Sequence, residues 1–263
     1  MTVLSNVDIE FELSKAKNIY IYPLDTQKIK GSTYNFKASH LAWSLKTKKS
    51  IVKDGVITIP PNDSAVIVTE EVIRVSNKIG GTYHSKVKLV KKGLGHIGTT
   101  LDPTWQGHSV ITVHNHSIDE NGIDIKVGDT FATLMLYYLN KPSNHIQENP
   151  PNQIHQLREF LTDEETNFFE KPWNTSLEGL RKEFLNQESY KELKKKYSKP
   201  KKRAGIFLSI LGFIALWFLF ARVFAHYMEF SYWKGFWILT LTVGLSGAVL
   251  AFFSYILKQF KGD

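Results

Sequence analysis

Two short segments of this 263-residue chain carry the residue types that could do chemistry. The first, Ser85 to Gly93, places Lys86, Lys88, Lys91 and Lys92 close together. An ammonium group neutralises a phosphate oxygen as a compact point charge, without the planar fork of arginine. The cluster therefore reads either as an anion-facing loop or as a solvated one. The second segment, Leu101 to Asn115, holds Asp102, Trp105, His108, Thr112 and His114. Asp102 precedes Pro103, and a residue before proline is pushed out of the helical region, so this segment opens in a turn. Val110 to Val113 then reads as a strand. His114 and His116 would share one face of an extended strand and, with His96, have the residue type of zinc ligands. No cysteine completes the set, and the histidines are read as residues of a solvated strand end.

Together these segments resemble the dCTP deaminase branch of the dUTPase superfamily. Asp102-Pro103-Thr104-Trp105-Gln106-Gly107 corresponds to its Asp-Pro-Gly-aromatic-x-Gly turn, which leads into a strand carrying a catalytic glutamate. Four further matches follow in the right order across roughly residues 3–140. Leu4 to Leu13 is similar to the N-terminal helix. Lys30 to Phe36 matches a Gly-x-x-hydrophobic-Asp-hydrophobic strand, with Asn35 in the acidic position. Ile59 to Val72 resembles the proline-led segment ending in threonine and glutamate, and Ile125 to Asp129 resembles the late turn before the closing strand. The resemblance implies a mainly β, distorted-barrel or jelly-roll domain that binds a nucleotide, and a trimer with sites at subunit interfaces.

The departures from that pattern fall on the chemistry. The family's phosphate-binding loop reads Gly-Arg-Ser-Ser-x-x-Arg-x-Gly, and here both arginines are lysine, at Lys86 and Lys91, while Val87 and Lys88 replace the serines. Thr112 stands in the glutamate position. Deamination needs a side chain that moves protons between water, the ring nitrogen and the amine, and threonine does not do this near neutral pH. The resemblance thus implies ligand-binding roles for Lys86, Lys88, Lys91, Gly93, Asp102, Trp105 and Thr112, and no catalytic residue for deamination. No protein-held cofactor or metal is expected; magnesium would arrive with the nucleotide.

The elements that must position these residues divide the chain. Residues 1–140 are the β domain: alternation in Thr58 to Val68 and in Val110 to Val113, with glycine-marked turns expected at Gly80-Gly81, Gly93, Gly95 and Gly98, suits short strands in a closed or sandwich-like arrangement. Residues 141–152 form a proline- and asparagine-rich linker. Residues 153–203 read as a basic helical stalk broken near Lys171-Pro172, with Thr175 and Glu178 as a capping box and Leu177, Leu180 and Phe184 on one apolar face. Residues 204–257 contain two apolar runs, Ala204 to Ala225 and Phe236 to Leu257. Each is about the length that crosses a bilayer as a helix. Residues 258–263 are a short tail.

Lys199 to Arg203 before the first run, and Lys258 and Lys261 after the second, place both ends of the hairpin in the cytoplasm by the positive-inside rule. The net charge of +8 is concentrated partly between Lys191 and Arg203, beside the first run. Such a stretch meets anionic headgroups at about 1 kcal/mol per basic residue. No base-reading motif accompanies it, so nucleic acid is not expected as a partner. The chain has no cysteine, and Met1 to Leu13 is too acidic for a signal peptide. The expected protein is a multi-pass inner-membrane homo-oligomer, trimeric or higher, whose cytoplasmic domain senses a nucleotide or cyclic nucleotide and controls its hairpin. Bacterial antiviral effectors share that architecture. The alternative is a membrane-tethered nucleoside triphosphate pyrophosphatase using Asp102.

Overall fold

The computed structural model describes residues 1–96, 98–117, 122–144 and 157–198. They belong to one compact unit, Met1–Ser198; the second unit, Lys199–Asp263, lies outside the described residues. The expected hairpin, its tail and most of the expected linker therefore lie outside them too. Among the described residues no helix is long and apolar enough to cross a membrane.

In chain order the unit runs β1 (Thr2–Val3), α1 (Asn6–Lys15), β2 (Ile19–Tyr22), β3 (Ile29–Lys30), β4 (Thr33–Ser44), β5 (Val52–Lys53), β6 (Val56–Ile59), β7 (Ser64–Val75) and β8 (Ile79–Ser85). It continues through α2 (Val87–Val90), β9 (Leu94–His96), β10 (Thr100–Leu101), β11 (Gln106–Asn115), β12 (Ile123–Lys126) and β13 (Thr130–Tyr138). It closes with α3 (Asp163–Phe169), α4 (Pro172–Thr175), α5 (Leu177–Asn186) and α6 (Glu188–Tyr197). The main sheet has the order β10-β8-β13-β4-β7-β11-β9, with β1, β2 and β3 added at its sides, and β12-β6-β5 form a smaller sheet. The fold is mainly β, as expected.

The long strands β4 and β7 are buried on both faces, which suits their near-continuous apolar runs such as Ala65 to Val68. One face, with Phe36, Ile67, Ile111 and Leu134, joins the principal core. The other, with Leu41, Trp43, Val66 and Val68, is covered by Leu157 and Phe169 from the chain's own later segment, with Phe160, Leu161 and Phe168 packed at its edge.

The start of α1 is fixed locally: the Ser5 side chain accepts from the Asp8 amide while the Asp8 carboxylate accepts from the Ser5 amide, satisfying two end donors. Gly80 and Gly81, read from sequence as a turn, lie inside β8 instead. A Cβ on Gly80 would meet the Tyr137 ring at 2.8 Å, and one on Gly81 the Met135 carbonyl at 2.9 Å. They are glycines because β13 approaches closely, a constraint that leaves the same mark in sequence as a turn.

The later helices also differ from the stalk expected at 153–203. Among the described residues four short helices stand where two pieces were expected, with Pro172 opening one of them. Ser176, not Thr175, caps α5, accepting from the Gly179 amide at 3.0 Å. Leu180 and Phe184 are fully buried, whereas Leu177 is 40% exposed. Their face packs on the β domain, where the Phe184 and Tyr20 rings meet edge to face at 5.3 Å. Amphipathic spacing announces a buried face but not what covers it.

Candidate functional site

The register of three strands builds the basic end of the site. Thr133 on β13 lies opposite Asn35 on β4 and opposite His84 on β8. Lys86, two residues beyond His84, is thereby carried to Asn35. Its Nζ donates to Asn35 Oδ1 at 2.7 Å, and Thr133 Oγ1 donates to the same oxygen at 2.9 Å. Partial burial, then the charges of Lys28 and Lys30, hold the Lys86 ammonium below its ordinary proton affinity. Among the described residues none of these three lysines forms an ion pair. Three crowded cations without a counter-ion attract an anion.

This contact joins two departures from the resembled motifs: Asn35 where an acid is expected and Lys86 where an arginine is expected. Lys28 and Lys30 escaped the sequence reading. Their only signal was their place just before a strand whose pairing with β8 through β13 could not be foreseen.

Lys88 and Lys91 are exposed, on α2 and just after it. Gly93 turns the chain at φ +90°, where a Cβ would stand 2.9 Å from the Ser117 amide. Its carbonyl accepts from the His116 amide at 2.9 Å, tying the basic loop to the end of β11.

The other expected ligand residues lie elsewhere. Leu101 pairs with Gly81 in an antiparallel register, so Asp102 lies level with Gly80, which at the rise of an extended strand is about 20 Å along β8 from Lys86. Asp102 is exposed and accepts from Thr100 Oγ1 at 3.2 Å, and its carbonyl accepts from the Trp105 amide at 3.2 Å, closing the turn expected at Asp102-Pro103. Trp105 packs against the core, with Nε1 buried and without a partner among the described residues.

Thr112 is half-buried opposite Val66, on the face of β11 that also carries Val110 and His114. Ile111 and Val113 face the other way, into a hollow they share with His84, Leu89, Leu94 and Phe131. Among the described residues the basic edge, the acidic turn and the Thr112 face thus lie apart.

His114 Nδ1 lies 2.6 Å from Ser64 Oγ. Among the described residues no group of three His, Cys, Asp or Glu side chains gathers at metal-binding distance.

Behind the basic edge is a buried polar group that sequence did not single out. Glu71 is fully buried; Oε2 accepts from the Lys37 amide at 3.0 Å, and Oε1 has no partner among the described residues. Burial pushes its carboxyl up to about 8, against the lowering effect of the Lys37 amide, so it is mostly protonated at neutral pH. Tyr83 Oη and Ser109 Oγ share a hydrogen bond nearby. His108, stacked on Phe168 at 4.5 Å with Nδ1 2.9 Å from the Thr69 carbonyl, is held down to about 4 by burial. The sites of Glu71 and His108 flank irregular registers in β4 and β11, which alternation alone does not reveal.

No protein-family model matches the chain. About half of the chain is similar to curated dCTP deaminases. That of Pyrococcus horikoshii is 23% identical over 126 residues, 48% of this chain and 80% of that protein. That of Thermococcus kodakarensis is 26% identical over 130 residues, 49% and 82% of the two chains. A third, from Pyrobaculum calidifontis, is 30% identical over 86 residues, 33% of this chain and 48% of that one. Among solved structures, a 2'-deoxycytidine 5'-triphosphate deaminase from Agrobacterium tumefaciens has a TM-score of 0.43 at 6% identity; the match covers 53% of this chain and about half, 49%, of that one.

Proposed function

We propose that this dCTP deaminase/dUTPase-like domain is a nucleotide sensor without deaminase chemistry, anchored through residues 204–257 and acting on them as its output. The observation that carries the nucleotide part is the trio Lys28, Lys30 and Lys86, without an ion pair among the described residues, at the edge marked by Asn35 and Thr133. Phosphate oxygens supply the missing negative charge, and the Thr133 hydroxyl lies beside them. Because the basic edge, the Asp102 turn and the Thr112 face lie apart among the described residues, the base and sugar are held against a second copy. A homotrimer brings one subunit's Asp102 turn or Thr112 face to another's basic edge. Magnesium comes with the phosphates it bridges. Thr112 in the acid/base position is the basis for the absence of deamination. The apolar runs and their lysine flanks support a hairpin in a bacterial inner membrane with both ends cytoplasmic. A defence role follows from that architecture: a ligand with unequal affinity for two states of the domain shifts the hairpin between them.

The test is to incubate the full chain in detergent with dCTP, and separately with dUTP, then recover bound and free nucleotide for chromatography. The expected result is stoichiometric retention of at least one of them, returned with base and phosphates unchanged. Conversion of dCTP to dUTP in proportion to protein would overturn the sensor reading. Release of pyrophosphate without deamination would replace it with the pyrophosphatase.

A further inference from the structure

We infer that the α1/α6 surface of the domain lies against the headgroups of an anionic lipid bilayer; this rests on the membrane-anchored reading above. The surface is built from two helices that meet at their ends. Phe11 and Tyr197 contact edge to face at 6.0 Å, and the Tyr197 hydroxyl donates to Glu10 Oε2 at 2.7 Å. Lys196 pairs with the same carboxylate at 2.6 Å.

The outward side of α1 is unexpectedly apolar. Val7 and Phe11, one helical turn apart, are 55% and 40% exposed, and Val3 just before the helix is 44% exposed. Two aliphatic groups and an aromatic ring left in water near one chain end mark a contact face.

Its charge identifies what covers it. Lys15 Nζ sits 4.7 Å over the Phe11 ring, and on α6 Lys194 and Lys195 are exposed and outside any ion pair among the described residues, beside Lys191 and Lys196, which pair with Glu188 and Glu10, and one exposed acid, Glu192. The acids of α1 are engaged within the domain: Asp8 in the helix cap, Glu10 with Lys196 and Tyr197, and Glu12 with Asn18 and Tyr138. Exposed apolar side chains ringed by lysine suit the boundary of headgroups and acyl chains. A neutral protein partner would gain nothing from the lysines.

Chain length supplies the second argument. From Ser198, at the end of α6, only residues 199–203 precede the apolar run that begins at Ala204. Even fully extended, that tether reaches about 20 Å. An inserted run would therefore hold the α6 end within reach of the surface, and four of those five residues, Lys199, Lys201, Lys202 and Arg203, are basic.

The chain has no native cysteine, so one introduced thiol reports one place. The full chain carrying Val7→Cys, labelled with an environment-sensitive dye, is reconstituted into vesicles of phosphatidylcholine and phosphatidylglycerol containing a bilayer-bound quencher. Asp54→Cys, on the turn between β5 and β6, is the comparison. The expected result is strong quenching at position 7 and little at position 54. Quenching at position 7 should fall severalfold in phosphatidylcholine alone and in the K194E/K195E/K196E variant, since each lysine contributes about fivefold in surface affinity. Position 7 quenched no more than position 54, in a chain that resists alkaline extraction, overturns the docking and leaves the anchor standing. A chain extracted by alkali yet quenched at position 7 rejects the anchor and keeps the docking. Extraction without quenching rejects both.

Discussion

Replacing Lys28, Lys30 and Lys86 together with glutamate is expected to lower the affinity of the full chain for a nucleoside triphosphate by at least about a hundredfold, because hydrogen bonds to charged groups contribute about 1.5–3 kcal/mol each and the new charges repel phosphate. The Lys86 ammonium now shares Asn35 Oδ1 with the Thr133 hydroxyl, so the variant keeps one donor to that oxygen and the local fold. Lys28 and Lys30 lie at the rim, away from the apolar core. Unliganded thermal unfolding should therefore change little while binding is lost. Reversing the exposed Lys88 and Lys91 instead should cost only severalfold, by weakening the surrounding field. Calorimetric titration with dCTP and dUTP checks both statements. Undiminished affinity in the triple variant would mean that the three lysines are merely solvated. Equal losses in the two variants would move the phosphate site to the α2 loop.

The second large effect concerns stability. Glu71 ordinarily titrates near 4.5 and is raised to about 8 in the fold. Between those values the folded state holds a proton that the unfolded chain has released, so stability falls as pH rises. His108 works in the opposite sense: its ordinary value of 6.5 is lowered to about 4, so the unfolded chain takes up a proton first as pH falls, and stability drops below 6.5. Above 6.5 the histidine is largely neutral in both states, and the slope between 6.5 and 8 reports Glu71. At about 1.36 kcal/mol per pH unit, the loss over that interval is about 2 kcal/mol. Glu71→Gln keeps an oxygen for the Lys37 amide and cannot ionise. It should match the wild type near pH 5, exceed it at pH 8, and show no such slope. Urea unfolding of the full chain in detergent at those pH values measures this. A wild-type slope that persists in the glutamine variant would assign the pH dependence to another group.

The β class, the N-terminal helix α1, the Asp102-Pro103 turn and the β11 strand were legible because each depends on neighbouring residues. So was the replacement at Thr112, which needs only a motif frame. What the sequence concealed depends on residues far apart in the chain. Lys28 and Lys30 join Lys86 only through the β4-β13-β8 pairing. Asp102 and Lys86, close in sequence, are parted along β8 by the β10-β8 pairing. Gly80-Gly81 mimics a turn because close strand packing and positive φ both select glycine. The helices after residue 157 show their apolar spacing, but the spacing does not say that Phe184 packs on Tyr20 or that Phe169 covers the Trp43 face.

The measurement closest to the central claim couples the two ends of the chain. Full-length protein is reconstituted in vesicles loaded with potassium, and efflux is followed while dCTP or dUTP is added, beside the K28E/K30E/K86E variant. The account predicts that a nucleotide retained in the binding test changes efflux in one direction and that the triple variant does not respond to it. Efflux that is the same with and without bound nucleotide, in protein shown to be inserted, would contradict the sensor reading and leave residues 204–257 as an anchor alone.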